Sequence, residues 1–564
     1  MIITRRAVPD TAQTLIAAGV APVLARIYAA RGIASVAELD HSLAALPDFA
    51  SLLNVDRAAD RLAMAIARRE RILIVADYDA DGATACAVGL RGLRMMGADV
   101  EFLVPNRFEF GYGLTPEIVA VAAQREPRLI VTVDNGVASV DGVAAAASRG
   151  IDVLVTDHHL PGPALPEPAI IVNPNQPGCR FPSKNLAGVG VMFYVLCALR
   201  ARLRDTGAFA DGAGPNLAAL LDLVALGTVA DVVCLDQVNR ILVEQGLARI
   251  RTARTQPGIA ALFAVAGRDL RRATAGDLGF VAGPRLNAAG RLADMSVGIR
   301  CLLATTDAQA QPLAQELDRL NRERRDIEAA MQEQALAEVE AAHALANDHA
   351  YTLCVHRPQW HPGVVGIVAS RLKDRYHRPV IVFAQSSATE LRGSGRSIAG
   401  FHLRDALDLV AKRAPGTLTR FGGHAHAAGL SIPADALARF AEAFESVARE
   451  RLPAAALRPT HDSDGELRRG ELTLELCATL RAQVWGQGFP PPAFDGSFDV
   501  VAQRIVGDGH AKLTLERDGE RHSAIAFRTP GTLPTRIRAL YRPELNLWNG
   551  LQSVELVIEG YAAD

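Results

Sequence analysis

Three aspartates alternate at Asp77, Asp79 and Asp81, and Gly82 closes the stretch Asp-Tyr-Asp-Ala-Asp-Gly. Carboxylates crowded on one short turn repel one another unless positive charge sits among them, and hard divalent cations are the usual answer. A merely solvated acidic turn fits poorly behind the apolar run at 72–76, because unpaired charge beside a core is costly. An EF-hand loop opens with the same pattern but needs a bidentate Glu at its twelfth position and helices on both sides. Here the twelfth residue from Asp77 is Val88, and the preceding run reads as a strand.

The same arrangement recurs downstream. An apolar run at 129–133 ends in Asp134-Asn135-Gly136, one at 153–156 in Asp157-His158-His159, and one at 170–172 in Asn173-Pro174-Asn175. Asp222 and Asp231 bracket a further apolar segment, so at most one of them is expected to face a site.

Such residues need elements to position them. Apolar runs separated by helical segments imply βαβ units and a parallel sheet. Right-handed crossovers bring the carboxyl ends of the strands to one edge, where open α/β sheets hold ligands. Asp77, Asp79, Asp81, Asp134, Asp157, His158 and His159 are therefore expected to converge. Residues 107–114 read as a glycine-punctuated loop, followed by a helix start at Thr115-Pro116-Glu117.

Farther along, residues 308–346 carry a long helical pattern with Leu313, Leu317, Leu320, Ile327, Met331 and Val339 on one stripe. A helix of this length marks a domain boundary. A second α/β unit follows. It holds two glycine-rich stretches, 392–397 and 421–429, read as loops whose free N–H groups, with Arg396 and His424, suit phosphate or nucleic acid. From Phe498 onward, short alternating strands punctuated by turns at 507–509, 518–519 and 548–550 read as a small β-barrel or sandwich. Residues 1–50 read as short helices with few groups of chemical interest.

At 564 residues the chain exceeds one core. Its formal net charge of −2 announces no nucleic-acid partner, so any basic surface must be local. The seven cysteines are dispersed without a Cys-x-x-Cys pair, which argues against a disulfide framework or a thiolate zinc site and for a reducing compartment. The N-terminus lacks a signal h-region and no apolar run reaches the length of a membrane span. A cytoplasmic protein with no membrane association is expected.

Taken in order, D-Y-D-A-D-G, V-D-N-G, D-H-H, G-T-V-A-D and G-G-H-x-x-A-A-G resemble the DHH phosphoesterase superfamily with its associated DHHA1 domain. Residues 111–114, 283–291, 360–371 and 422–429 are similar to one branch of it, the bacterial exonucleases that degrade single-stranded DNA from the 5′ end. The segment 485–492, Trp-Gly-Gln-Gly-Phe-Pro-Pro-Pro, departs from that branch's Gly-x-Gly-Asn-Pro-Glu-Pro.

The resemblance implies an α/β protein with an N-terminal helical segment (1–45), a parallel-sheet DHH domain (46–305) and a long connecting helix (306–349). A smaller α/β DHHA1 domain (350–454) and a C-terminal β-barrel of the OB-fold type (455–564) follow. It implies two ions, Mn²⁺ or Mg²⁺, with Asp134 bridging, Asp79 on one ion, and Asp81, His158 and Asp231 on the other. Asp77, Asp157 and His159 are implied as close neighbours with catalytic or supporting roles. Arg285, Asn287, Arg291, Ser370, Arg371, Arg396, Ser397 and His424 are implied to grip strand phosphates. It also implies single-stranded DNA as substrate, repair and recombination as setting, a single-strand-binding protein and a RecQ-type helicase as partners, and a monomer. Two other readings stand beside it. One is a DHH phosphoesterase for nanoRNA, nucleoside bisphosphates or cyclic dinucleotides, against which the long C-terminal β-region argues. The other is a non-catalytic DNA-bound scaffold like Cdc45, against which the full set of acidic and histidine residues argues.

Overall fold

The computed structural model describes residues 1–106, 110, 112–210, 212–345, 350–507, 509–548 and 551–564. Residues 107–109, Gly111, Asp508 and the Asn549–Gly550 turn, all part of expected loops or turns, thus lie outside the described residues. Two compact units emerge: one built from residues 5–320 and 462–564, the other from 1–4 and 321–461.

The larger unit is organised on a five-stranded parallel sheet. Its strands are β1 (Ile72–Ala76), β2 (Val100–Leu103), β3 (Leu129–Val133), β4 (Asp152–Thr156) and β5 (Ile170–Val172), in the order β2-β1-β3-β4-β5. Every residue of β1 and β3 is buried. Alternate side chains explain why. Ile72, Ile74, Leu129 and Val131 pack into one apolar layer, while Leu73, Val75 and Ile130 pack into another on the opposite face. A sheet covered on both sides reads as a continuous apolar run.

The C-terminal strands belong to the same unit. They are β6 (Phe494–Val506), β7 (His510–Arg517), β8 (Glu520–Ala526), β9 (Arg536–Trp548) and β10 (Leu551–Ala563), closed into a barrel in the order β6-β7-β8-β10-β9. All pairings are antiparallel except β8 with β10. Ala511, Leu513 and Leu515 point inward along β7, as period-two alternation requires.

The N-terminal segment holds more chemistry than its sequence announces. Helix Pro22–Ala29 sends Ile27 into the barrel's apolar cluster and Tyr28 into that of the parallel sheet. Tyr28 stacks near Trp485 and Phe489, whose own rings lie 5.3 Å apart. The Arg240 guanidinium sits 4.5 Å over Phe489. The divergent 485–492 segment is thereby an internal anchor between barrel and sheet domain.

In the smaller unit a five-stranded mixed sheet runs in the order Arg420–Gly423, Ala427–Pro433, Glu390–Arg396, Val380–Gln385, Leu353–His356. Only the last two strands pair in parallel. This corrects the expectation of two glycine-rich loops, because 392–396 and most of 420–429 are strand. The glycines there answer to packing. A Cβ on Gly393 would come within 2.6 Å of the Phe383 ring, and one on Gly395 within 2.8 Å of Leu403. The long helix Asp307–Leu345 places Leu317 and Leu320 in the core of the larger unit and Met331 and Val339 in that of the smaller.

Candidate metal centre

The acidic groups arrive side by side because the main-chain ladder runs one residue past the strands. The N–H of Asp77 donates to Val133 O at 3.3 Å, that of Asp134 to Thr156 O at 2.9 Å, and that of Asp157 to Val172 O at 3.2 Å. Asp134 takes a left-handed φ of 61° immediately after β3, a conformation that Asp tolerates better than most residues.

Asp79 caps helix α1 (Ala80–Met95), its carboxylate accepting the Gly82 N–H at 3.0 Å. Asp81 lies in the first turn, fully buried. Its two oxygens accept the N–H groups of Gly188 at 2.7 Å and Val189 at 2.9 Å, which open helix α2 (Gly188–Asp205). A helix N-terminus favours negative charge at that point. Asp231 follows helix α3 (Leu221–Ala230) as its C-cap. Asp222, at the other end, turns away to accept from Thr255 Oγ1 and the Gln256 N–H, so of the two only Asp231 faces the site.

His158 Nε2 stands 3.1 Å from Asp134 Oδ1 and 3.5 Å from Asp231 Oδ2. Three sets of donor atoms each fall within 4.8 Å of one another: Asp77, Asp79 and Asp134; Asp81, His158 and Asp231; and Asp134, His158 and His159. Asp134 is thus shared between an all-carboxylate group and a group containing imidazole. Asp134 Oδ1 and Asp231 Oδ2 are buried and accept no hydrogen bond among the described residues. Open buried acceptors are costly unless a cation meets them. Carboxylate with imidazole suits Mn²⁺, and a carboxylate set suits Mg²⁺. The residues present therefore fit a divalent metal centre.

Electrostatics agree. Burial, then the charges of Asp231 and Asp79, holds the Asp81 carboxyl well above its ordinary range. Burial with Asp81 and Asp79 does the same to Asp134, and burial with Asp79 lifts Asp231 to about 7. Asp157 differs. Burial would raise it, but donors from His159 and the Val137 N–H keep it below its usual value. Its Oδ1 accepts from the N–H groups of His158 and His159 and lies 2.8 Å from His159 Nδ1, while Oδ2 accepts from Val137 N at 2.9 Å. Both oxygens are engaged in holding the loop. Burial would lower His159, but its hydrogen bond to Asp157 and the surrounding carboxylates raise it to about 9.

Of the residues expected on strand phosphates, Asn287 accepts the Ala80 N–H at 2.9 Å through Oδ1. Arg285 is engaged with Asp318 at 2.8 Å and the Val281 carbonyl. Arg291 occupies the last turn of helix α4 (Gly283–Leu292). In the smaller unit, Ser370 and Arg371 lie on helix Val365–Tyr376, with Arg371 2.9 Å from Glu328. Arg396 donates to Ser394 Oγ and Gly395 O, and burial lowers its guanidinium from the ordinary value. Ser397 is buried and donates to Phe401 O at 2.7 Å, which turns its hydroxyl inward. His424 is exposed on the turn between two strands.

Sequence reasoning missed Tyr112, whose hydroxyl donates to Asp134 O at 3.3 Å and lies 3.2 Å from His159 Nδ1. It also missed the glycines that let backbones close on the carboxylates. A Cβ on Gly188 would lie 2.6 Å from Asp134 Oδ1, and one on Gly227 2.1 Å from Thr84 Oγ1. Their only signal is glycine inside apolar helical runs.

Residues 71–228 match the DHH family N-terminal domain, 348–450 the DHHA1 domain, and 463–560 the RecJ OB domain. The chain is 50% identical to the single-stranded-DNA-specific exonuclease RecJ of Dickeya dadantii, across 99% of each chain. It is 47% identical to that of Escherichia coli, across 98% of each. The crystal structure of Thermus thermophilus RecJ in complex with Mn²⁺ superposes with a TM-score of 0.84 at 31% identity, covering all of this chain and 79% of that one. A Mg²⁺ complex of the same protein gives 0.78 at 29% identity, covering all of this chain and 78% of that one. On these matches, the chain belongs to the RecJ family.

Proposed function

We propose that the chain is a metal-dependent exonuclease that hydrolyses phosphodiester bonds of single-stranded DNA from the 5′ end. The observation that carries this reading is the pair of donor groups sharing Asp134, with buried carboxylate oxygens left open. Asp77, Asp79 and Asp134 would hold one divalent ion, and Asp81, His158 and Asp231, with Asp134, the other. Ions held there supply positive charge for the phosphodiester and for the attacking water. The chain's own residues do the rest. Asp157 fixes the His159 ring through Nδ1, setting the imidazole beside the carboxylates, where it can meet a phosphate or move a proton. The helix N-terminus at Gly188 steadies Asp81. Asn287 holds the turn that carries Asp79.

The exonuclease activity for which the relatives are named and the closed barrel favour this reading over a small-substrate phosphoesterase, which needs no such platform. The complete ligand set speaks against a non-catalytic scaffold. The 5′ polarity, a single-strand-binding protein and a RecQ-type helicase as partners, a monomeric state and a cytoplasmic location are carried from the family resemblance. No described helix is long and apolar enough to cross a membrane.

End-labelled single strands and duplexes of each polarity, incubated with Mn²⁺, test the proposal. Stepwise loss of nucleotides from the 5′ end of single strands is the expected result. Equal digestion of blunt duplex, or no digestion at all, would overturn it.

A further inference from the structure

Three large apolar side chains stand exposed on segments that adjoin the candidate metal ligands. Leu160, directly after His159, is 63% exposed, and Val232, directly after Asp231, is 62% exposed with a left-handed φ of 64°. Above both in exposure is Phe280, at 86%. It sits on a π-helical turn, Leu278–Ala282, that runs directly into α4. Single π-helical turns are frequent at functional sites.

This turn is firmly seated. Leu278 and Ala282 are completely buried. A Cβ on Gly279 would lie 3.2 Å from Val229, and one on Gly283 3.0 Å from Ala230. The turn therefore rests on the last residues of α3 before Asp231. The helix it opens ends its own work at the metal turn, through Asn287 and Ala80. One rigid segment thus carries a solvent-facing phenyl ring and a clamp on the aspartates.

We propose that Phe280 is a stacking platform for a base of the bound single strand at the rim of the metal centre. The inference rests on the exonuclease reading and adds to it a base contact. A phenyl ring has no hydrogen-bonding group, so it meets any base through its π-face and imposes no sequence preference. A base within a duplex is already stacked on both faces. The platform thus favours a strand whose bases are free.

The test uses the full chain with Mn²⁺ and 5′-phosphorylated single strands in which one abasic nucleotide is moved stepwise from the end. With the parent, one abasic position is expected to raise KM by roughly tenfold. Phe280→Ala is expected to raise KM on the intact strand by a similar factor and to erase the effect of that position. Phe280→Trp is expected to preserve both. Because the ring is exposed, the variants are expected to melt with the parent. Parent-like KM for Phe280→Ala, or an abasic effect that persists in it, would overturn the platform. Failure of the parent to digest single strands would instead overturn the exonuclease reading on which the platform rests.

Discussion

Asn287 Oδ1 accepts the N–H of Ala80 at 2.9 Å, joining helix α4 to the turn between Asp79 and Asp81. Ala80 is the first residue of α1, where a main-chain donor has no partner within its own helix. Gly290, one turn along, approaches so closely that a Cβ there would lie 1.9 Å from the Tyr78 carbonyl. The motif expected to grip phosphates is thus also the wall against which the metal turn is cast. Asn287→Ala is expected to weaken Mn²⁺ uptake by about tenfold, the usual cost of losing a group that orients a ligand. Asn287→Asp, which keeps the acceptor, should recover most of it. Calorimetric titration of Mn²⁺ into each variant checks this, and equal affinities would refute it.

Asp231 separates the two donor groups. It belongs to the set containing Asp81 and His158, not to the all-carboxylate set. Asp231→Asn is expected to abolish uptake of one Mn²⁺ while leaving the other. Asp134→Ala removes a carboxylate grouped with Asp77 and Asp79 on one side and with His158 and His159 on the other, and should abolish both. Activity should fall roughly a hundredfold or more in each, since ligands cost at least as much as the groups that orient them. Metal counting by elemental analysis after gel filtration distinguishes one lost ion from two. Two ions retained in Asp134→Ala would refute the shared-ligand assignment.

The convergence of these residues is legible in the sequence because each strand that carries a candidate ligand announces itself as an apolar run ending in Asp, and parallel topology then forces the ends together. Asp222 and Asp231 show where that logic stops. Both flank the same apolar helix, and only the fold shows Asp222 turned toward Thr255 and Gln256. The loops expected at 392–397 and 421–429 failed for a related reason. Glycine reads as a turn in one dimension, whereas here it makes room for Phe383 and Leu403 across a sheet. Tyr28 carries no local signal, because its role is a contact with Trp485 and Phe489, hundreds of residues away.

Gly188 provides a steric test. A methyl group there would sit 2.6 Å from Asp134 Oδ1 and 2.7 Å from its Cβ. Overpacking of this kind costs about 1–3 kcal/mol. The displaced group would be the shared carboxylate, so Gly188→Ala is expected to lose activity out of proportion to stability. Activity and thermal midpoint measured on one preparation check this. A variant that melts lower yet turns over like the parent would refute it.

Arg31 and Asp464 form an ion pair at 2.6 Å with side chains only 1% and 2% exposed. Arg31 also donates to Pro490 O and lies 5.3 Å from the Trp485 ring. Removing one partner strands a buried charge, at a cost of about 3–5 kcal/mol. Arg31→Ala is expected to loosen the barrel, seen as faster amide exchange in β6 and β9. Arg31→Lys should recover only part, since an ammonium cannot reproduce the paired donors. Unchanged exchange in both variants would refute the anchor.

Asp495 predicts an acid limit for the same region. Its carboxylate is fully buried and accepts from Arg5, Ser463 Oγ and Arg538. Burial alone would raise its pKa, yet these donors hold it at about 2, below the value of about 3.9 in an unfolded chain. The folded state therefore binds the proton less readily than the unfolded state does. The resulting stabilisation is fully present above about pH 4 and disappears as pH falls through about 2. Asp495→Asn lacks that titration. The thermal midpoint of the parent should accordingly exceed that of the variant at about pH 6, and the gap should narrow between about pH 4 and about pH 2. A gap that stays constant over that interval would assign the buried carboxylate no part in the acid response.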